Sequence, residues 1–127
     1  MKRNVIILLL ALCLTPAGAF TRQVNGGADV EDVKIIDVTA SRFQFEPATI
    51  SVAQGDKVRL RLHSADGTHG FAIKAFRVKA LIPKVGEAVT VEFVADQEGT
   101  FDFTCSEYCG TRHGAMKGRL VVLARGK

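Results

Sequence analysis

Gly55-Asp56-Lys57-Val58-Arg59-Leu60-Arg61-Leu62-His63 opens on a turn dipeptide and runs into strict alternation. Val58, Leu60 and Leu62 fall on one side, and Arg59, Arg61 and His63 on the other. An extended chain points successive side chains to opposite faces, so this is a strand with one buried and one wet, basic face. His63 therefore reads as a solvent-facing strand residue. The same grammar spreads outward in both directions. Val33 to Val38 reads as a strand, Phe43 and Phe45 flank Gln44, Glu46-Pro47 breaks that run, and Thr49 to Val52 resumes it. Ala65-Asp66-Gly67-Thr68 is a turn, and Phe71 to Ile73 a short strand. Residues 74–86 read as irregular, punctuated by Pro83 and Gly86. Ala88 to Val94, Gly99 to Thr104 and Arg119 to Leu123 complete the series. Some seven or eight short strands with turns between them and no convincing helix predict an all-β, antiparallel sandwich. Phe71, Phe93, Phe101 and Phe103 are expected in its core.

The N-terminus has a different character. Met1-Lys2-Arg3 precedes an apolar run from Val5 to Leu14, and Ala17-Gly18-Ala19 follows as a small-x-small cleavage pattern. A basic start, a short apolar core and small residues predict a signal peptide over 1–19, or an uncleaved anchor, and hence export to the periplasm or another extracytoplasmic space. The run is shorter than the roughly 20 residues that span a bilayer. Cys13 follows Leu12, not the small residue that a lipoprotein site would have there. Residues 20–32 are polar with Gly26-Gly27 and read as a loose N-terminal segment, leaving 33–127 as one domain. Membrane association is expected only through the leader or through a complex. The formal charge of +4 loses Lys2 and Arg3 with the leader, leaving +2, and there is no long basic run to suit nucleic acid.

The chemistry is concentrated in Cys105-Ser106-Glu107-Tyr108-Cys109-Gly110-Thr111-Arg112-His113-Gly114-Ala115-Met116. Two thiols four residues apart are followed by an imidazole and then a thioether. Thiolate, imidazole and thioether together favour copper over zinc, calcium or magnesium, and thioether is a poor zinc ligand. One Cys suffices for a mononuclear blue-copper site, whereas a second thiolate is what a bridged pair of coppers requires. A disulfide between Cys105 and Cys109 is the simpler alternative in an exported chain, and it is a plausible resting state of the metal-free protein. A second His from elsewhere would complete a dinuclear site, and His63 and His69 are the candidates. His69 is chosen because it sits at a turn-strand junction, where a sheet can hold it rigidly. Tyr108 lies inside the loop, either shielding the site or packing. Lys74, Arg77, Lys79 and Lys84 read as solvated loop charges.

Asp66-Gly67-Thr68-His69-Gly70-Phe71 together with that loop resembles the dinuclear copper (CuA) domain of cytochrome c oxidase subunit II. The family pattern is D-x-x-H-x-F upstream and C-x-E-x-C-G-x-x-H-x-x-M downstream. Phe43 to Pro47 and Ile50 to Val58 also resemble early strands of its cupredoxin fold, and the likeness covers roughly residues 34–124. The resemblance implies a cupredoxin-like Greek-key β-sandwich. It implies two Cu ions bridged by Cys105 and Cys109, one bound by His69 and one by His113. Met116 and the backbone carbonyl of Glu107 would be weak axial ligands, and Asp66 would help hold the His69 loop. In the full oxidase the side chain at the Glu107 position also meets a magnesium ion at a subunit interface. Two thiolates bridging two coppers spread one unpaired electron over both metals, so bond changes on reduction are small, and a stiff sandwich adds preorganisation. The imidazole near the surface would be the electron path.

The resemblance implies an electron-transfer module between a redox protein donor (cytochrome c or another cupredoxin) and an acceptor such as oxidase subunit I. Copper delivery or storage uses the same ligands and is the alternative. With every ligand position filled by protein, no coordination site is left open for a substrate, so the chain would at most be the non-catalytic subunit of an enzyme. Some features depart from the family. The oxidase subunit carries transmembrane helices before its copper domain, and the one apolar run here is 5–14. There is no Trp where electrons would enter. Arg112, Lys117 and Arg119 surround a loop whose oxidase counterpart is usually acidic, which points to an acidic or neutral donor.

Overall fold

The computed structural model describes residues 32–126. The expected leader (1–19) and all of the expected N-terminal segment except Asp32 lie outside the described residues. Nine strands run in chain order: β1 (Val33–Ser41), β2 (Gln44–Glu46), β3 (Thr49–Ala53), β4 (Lys57–Ser64), β5 (His69–Ile73), β6 (Val78–Ile82), β7 (Val89–Val94), β8 (Gly99–Thr104) and β9 (Lys117–Leu123). They form a four-stranded sheet, ordered β2-β1-β4-β7, and a five-stranded sheet, ordered β3-β9-β8-β5-β6. Two 3₁₀ turns, Lys74–Phe76 and His113–Ala115, are the helical pieces among the described residues. No helix of the described residues is long and apolar enough to cross a membrane.

The all-β sandwich is as the alternation predicts, with two corrections. The sheets are mixed rather than purely antiparallel: β1 pairs with β4 in parallel over eight registered residues, and β3 pairs with β9 in parallel. Residues 78–82, read as irregular, form β6, which raises the strand count to nine. The reason is tertiary. Val78 and Ile82 are buried, but Leu81 points outward and is 54% exposed, so the local pattern does not alternate cleanly. Pairing with β5, from His69↔Ile82 to Ile73↔Val78, specifies the strand instead.

Between the sheets lies one core. Val58, Leu60 and Leu62 of β4 face Phe71, Ile73, Phe103, Leu120 and Val122 of the second sheet, all buried. Phe45, Phe71 and Phe103 pack as a triad with ring centroids 5.2 to 5.6 Å apart. Each ring removed from water is worth about 1.5–3 kcal/mol, with roughly 0.5–1.5 kcal/mol more per aromatic pair. Phe71 stands two residues after His69, and Phe103 two before Cys105. Period two therefore places the triad directly beneath those side chains on the same inward face.

Candidate metal centre

The segment Cys105–Met116 connects β8 to β9, which are antiparallel neighbours. Thr104 pairs with Lys117, and the Cys105 N–H continues the ladder to the Met116 carbonyl at 3.1 Å. The first and last donors of the loop are thus held side by side at its base. Gly110 has φ 144, a conformation natural only to glycine, and an added Cβ there would lie 2.8 Å from Phe43. From Gly110 the chain folds back: the His113 N–H reaches the Gly110 carbonyl and the Met116 N–H reaches the His113 carbonyl, both at 3.1 Å. That 3₁₀ turn buries Met116 and leaves His113 half-buried.

The side chains converge. Cys105 and Cys109 are free thiols with their Sγ atoms 3.6 Å apart. The His113 Nδ1 and the Met116 Sδ each lie 3.7 Å from the Cys109 Sγ. The Cys105 thiol donates to the Glu107 carbonyl at 3.1 Å and accepts from the Gly70 N–H at 3.4 Å. A ligand atom of His69 lies within 4.8 Å of both thiols. Cys105, Cys109, Met116 and His69 are all buried, and His69 is completely so. Burial, reinforced by the adjacent Cys105 thiol, pushes the Cys109 thiol up to about 11. His63 stands apart on the outer face of β4, 3.3 Å from Asp37.

His69 is oriented by Asp66, whose Oδ1 lies 2.7 Å from its Nε2. The Arg42 backbone N–H, and then His69 itself, hold the Asp66 carboxyl below its ordinary value. An ionised carboxylate only accepts, so the Nε2 N–H donates to Asp66 and Nδ1 is the nitrogen left for another partner. That Nδ1 is buried and has no hydrogen-bond partner. An orphaned buried polar atom is costly, about 1–3 kcal/mol, and this one stands beside two thiols, where a soft cation would satisfy it. The donor set, with its imidazole nitrogens, thiols and thioether, fits copper.

A family model described as a cupredoxin-like domain matches residues 4–122. The chain belongs to the cupredoxin-like domain family. Cytochrome c oxidase subunit 2 of Thermus thermophilus is 33% identical over 86 residues, covering 67% of this chain and 62% of that protein. Nitrous-oxide reductase of Cupriavidus necator is 32% identical over 93 residues, covering 70% of this chain and 14% of that one. This cupredoxin domain therefore spans less than two thirds of the length of these relatives. The periplasmic domain of subunit II of cytochrome oxidase from Bradyrhizobium japonicum superposes with a TM-score of 0.64 at 24% identity, covering 72% of this chain and 84% of that one. At that identity the likeness is one of fold.

Three residues that shape the cupredoxin site escape sequence reasoning. Arg42 ties the two loops of the candidate centre together: its Nε donates to the Cys109 carbonyl at 3.1 Å, and its backbone N–H to Asp66 Oδ2 at 2.7 Å. Gly70 presses against the loop so closely that a Cβ would meet the Glu107 nitrogen at 2.6 Å. Phe43 packs under Gly110 and carries the Arg112 guanidinium 5.9 Å from its ring centre. Nothing local marks Arg42, which lies 67 residues from its Cys109 partner. Tyr108 is 75% exposed, its ring 5.9 Å from that of His113, so it flanks the site at the surface.

Proposed function

We propose that this cupredoxin domain is an extracytoplasmic electron-transfer module built around a dinuclear copper (CuA) centre. It would relay single electrons between a donor such as cytochrome c or another cupredoxin and a terminal acceptor such as oxidase subunit I. The observation that carries the reading is the paired thiols, 3.6 Å apart, with the unpartnered Nδ1 of buried His69 beside them and His113 and Met116 each 3.7 Å from the Cys109 sulfur. Cys105, Cys109, His69 and His113 would hold the copper pair, with Met116 and the Glu107 carbonyl as weaker donors. When bound, the copper pair supplies a one-electron redox couple whose charge is shared by both metals.

The chain's own residues supply the rest. Asp66 fixes the His69 ring, and the Phe45, Phe71 and Phe103 triad stiffens the strands beneath it. Burial of Cys105, Cys109 and Met116 excludes water and favours a site that retains its metal over one that hands it on. Half-buried His113 brings the centre to the surface beside Tyr108. Names of relatives support the partners: cytochrome c oxidase subunit 2 recurs among them.

Copper content and an EPR spectrum of the thiol-reduced, copper-reconstituted protein test the reading. Two coppers sharing one delocalised spin are expected. One copper with a localised spin would sink the dinuclear assignment and make copper delivery the better account.

A further inference from the structure

The two sheets treat their outward cations differently. On the four-stranded sheet the basic stripe of β4 is neutralised: Arg59 pairs with Glu92, and Arg61 with Asp37 at 2.5 Å. On the five-stranded sheet the cations are left free. Lys74, Arg77, Lys79, Lys117 and Arg119 form no ion pair among the described residues.

Three of these free cations, Lys74, Arg77 and Lys79, line an opening. β5 and β8 share a single registered pair, Ala72↔Thr104, so the sheet parts there on its outer side. The result is a groove of about 440 Å³ lined by Lys74, Arg77, Lys79, Thr104, Cys105 and Ser106, with a mainly apolar floor. Arg77, at the end of the 3₁₀ turn, is held at φ 55, a left-handed conformation where glycine is the default. Lys117 lies across from Thr104 and Arg119 across from Asp102, which extends the field over β9. Against these five cations stand Asp102, across from Arg119, Glu107 of the loop, and Glu92 and Asp96, which line a neighbouring cavity with Arg77.

We propose that this face is the docking surface for an acidic redox protein, with the groove beside Cys105 as the point of closest approach. The inference rests on the electron-transfer reading. Uncompensated like charges around a shallow apolar floor raise the local concentration of an oppositely charged partner and speed its association. A partner seated there lies next to Cys105, a residue only 6% exposed, so the contact is short without exposing the centre to water. In the transfer itself, a ferrous c-type cytochrome gives up one electron and becomes ferric, and the copper-loaded domain takes that electron up.

Stopped-flow mixing of copper-loaded protein with an acidic and with a basic ferrous c-type cytochrome reads the proposal. The acidic one should react faster at low ionic strength, and added salt should slow it. Lys74→Glu with Lys79→Glu, both at exposed positions, should cut that rate about tenfold or more and flatten its salt dependence. An unchanged rate in this variant, or a faster basic cytochrome, overturns the docking surface. Amide shifts of the copper-free, ¹⁵N-labelled protein titrated with the acidic cytochrome give a second readout without electron transfer. Shifts gathered at 72–79 and 104–106 support the surface even if no electron moves, in which case the electron-transfer reading alone fails. Shifts gathered elsewhere overturn the surface and leave that reading standing.

Discussion

The carboxylate of Asp66 lies 2.7 Å from the Nε2 of His69, and the other nitrogen of that wholly buried ring has no partner. Asp66 therefore decides which nitrogen of His69 is offered inward. Removing it with Asp66→Ala frees the ring to rotate or to change tautomer. Loss of an orienting partner of this kind typically weakens metal binding by 10–100-fold, and the copper affinity should fall by about that factor in a competition titration. Asp66→Asn keeps an accepting oxygen and should recover most of the affinity. Equal losses in both variants would show that the charge, not the orientation, matters.

Cys109 touches more of the cluster than any other residue, with Cys105, His113 and Met116 all within 3.7 Å of its sulfur. Cys109→Ser should abolish the two-copper spectrum while the sandwich stays folded, since the two side chains are nearly the same size. His63→Ala should leave the copper spectrum intact, because that ring is exposed and turned to Asp37. A delocalised two-copper spectrum surviving in the Cys109 variant would disprove the bridging role, and its collapse in the His63 variant would mean that His63, not His69, is the upstream ligand.

Gly110→Ala should strike the backbone of the loop. The position has φ 144, and the new Cβ would sit 2.8 and 2.9 Å from two atoms of the Phe43 ring. Strain and overpacking of this order cost roughly 1–3 kcal/mol. Denaturant midpoints of the copper-free protein should fall accordingly, and copper affinity with them. A variant with an unchanged midpoint would show that the loop relaxes freely and does not preorganise the ligands.

Much of this arrangement is legible in the sequence, for a physical reason. β4 announces itself because one face is buried and the other wet, and the loop announces itself because all its donors fall within twelve residues. Strand β6 does not, since its outward Leu81 blurs the alternation and its pairing with β5 is what specifies it. Parallel pairing of β1 with β4 is equally invisible, because period two is the same for either direction. His69 could be placed at the head of a strand from its turn, but the tie from Arg42 to both loops of the candidate centre is long-range and leaves no local mark.

In the proposed centre, the thiol of Cys109 should give copper binding a pH dependence. Burial, with Cys105 beside it, pushes that thiol up to about 11 in the copper-free protein, so at neutral pH it carries a proton. The metal takes the thiolate, and loading must therefore expel that proton. Below the thiol's titration point, each unit of pH decrease should weaken apparent affinity about tenfold for this proton alone, and each unit of increase should strengthen it likewise. Isothermal titration in buffers of different ionisation enthalpy counts the protons released. Affinity that stays flat between pH 6 and 8 would mean that Cys109 is already a thiolate before the metal arrives, and that its burial does not govern loading.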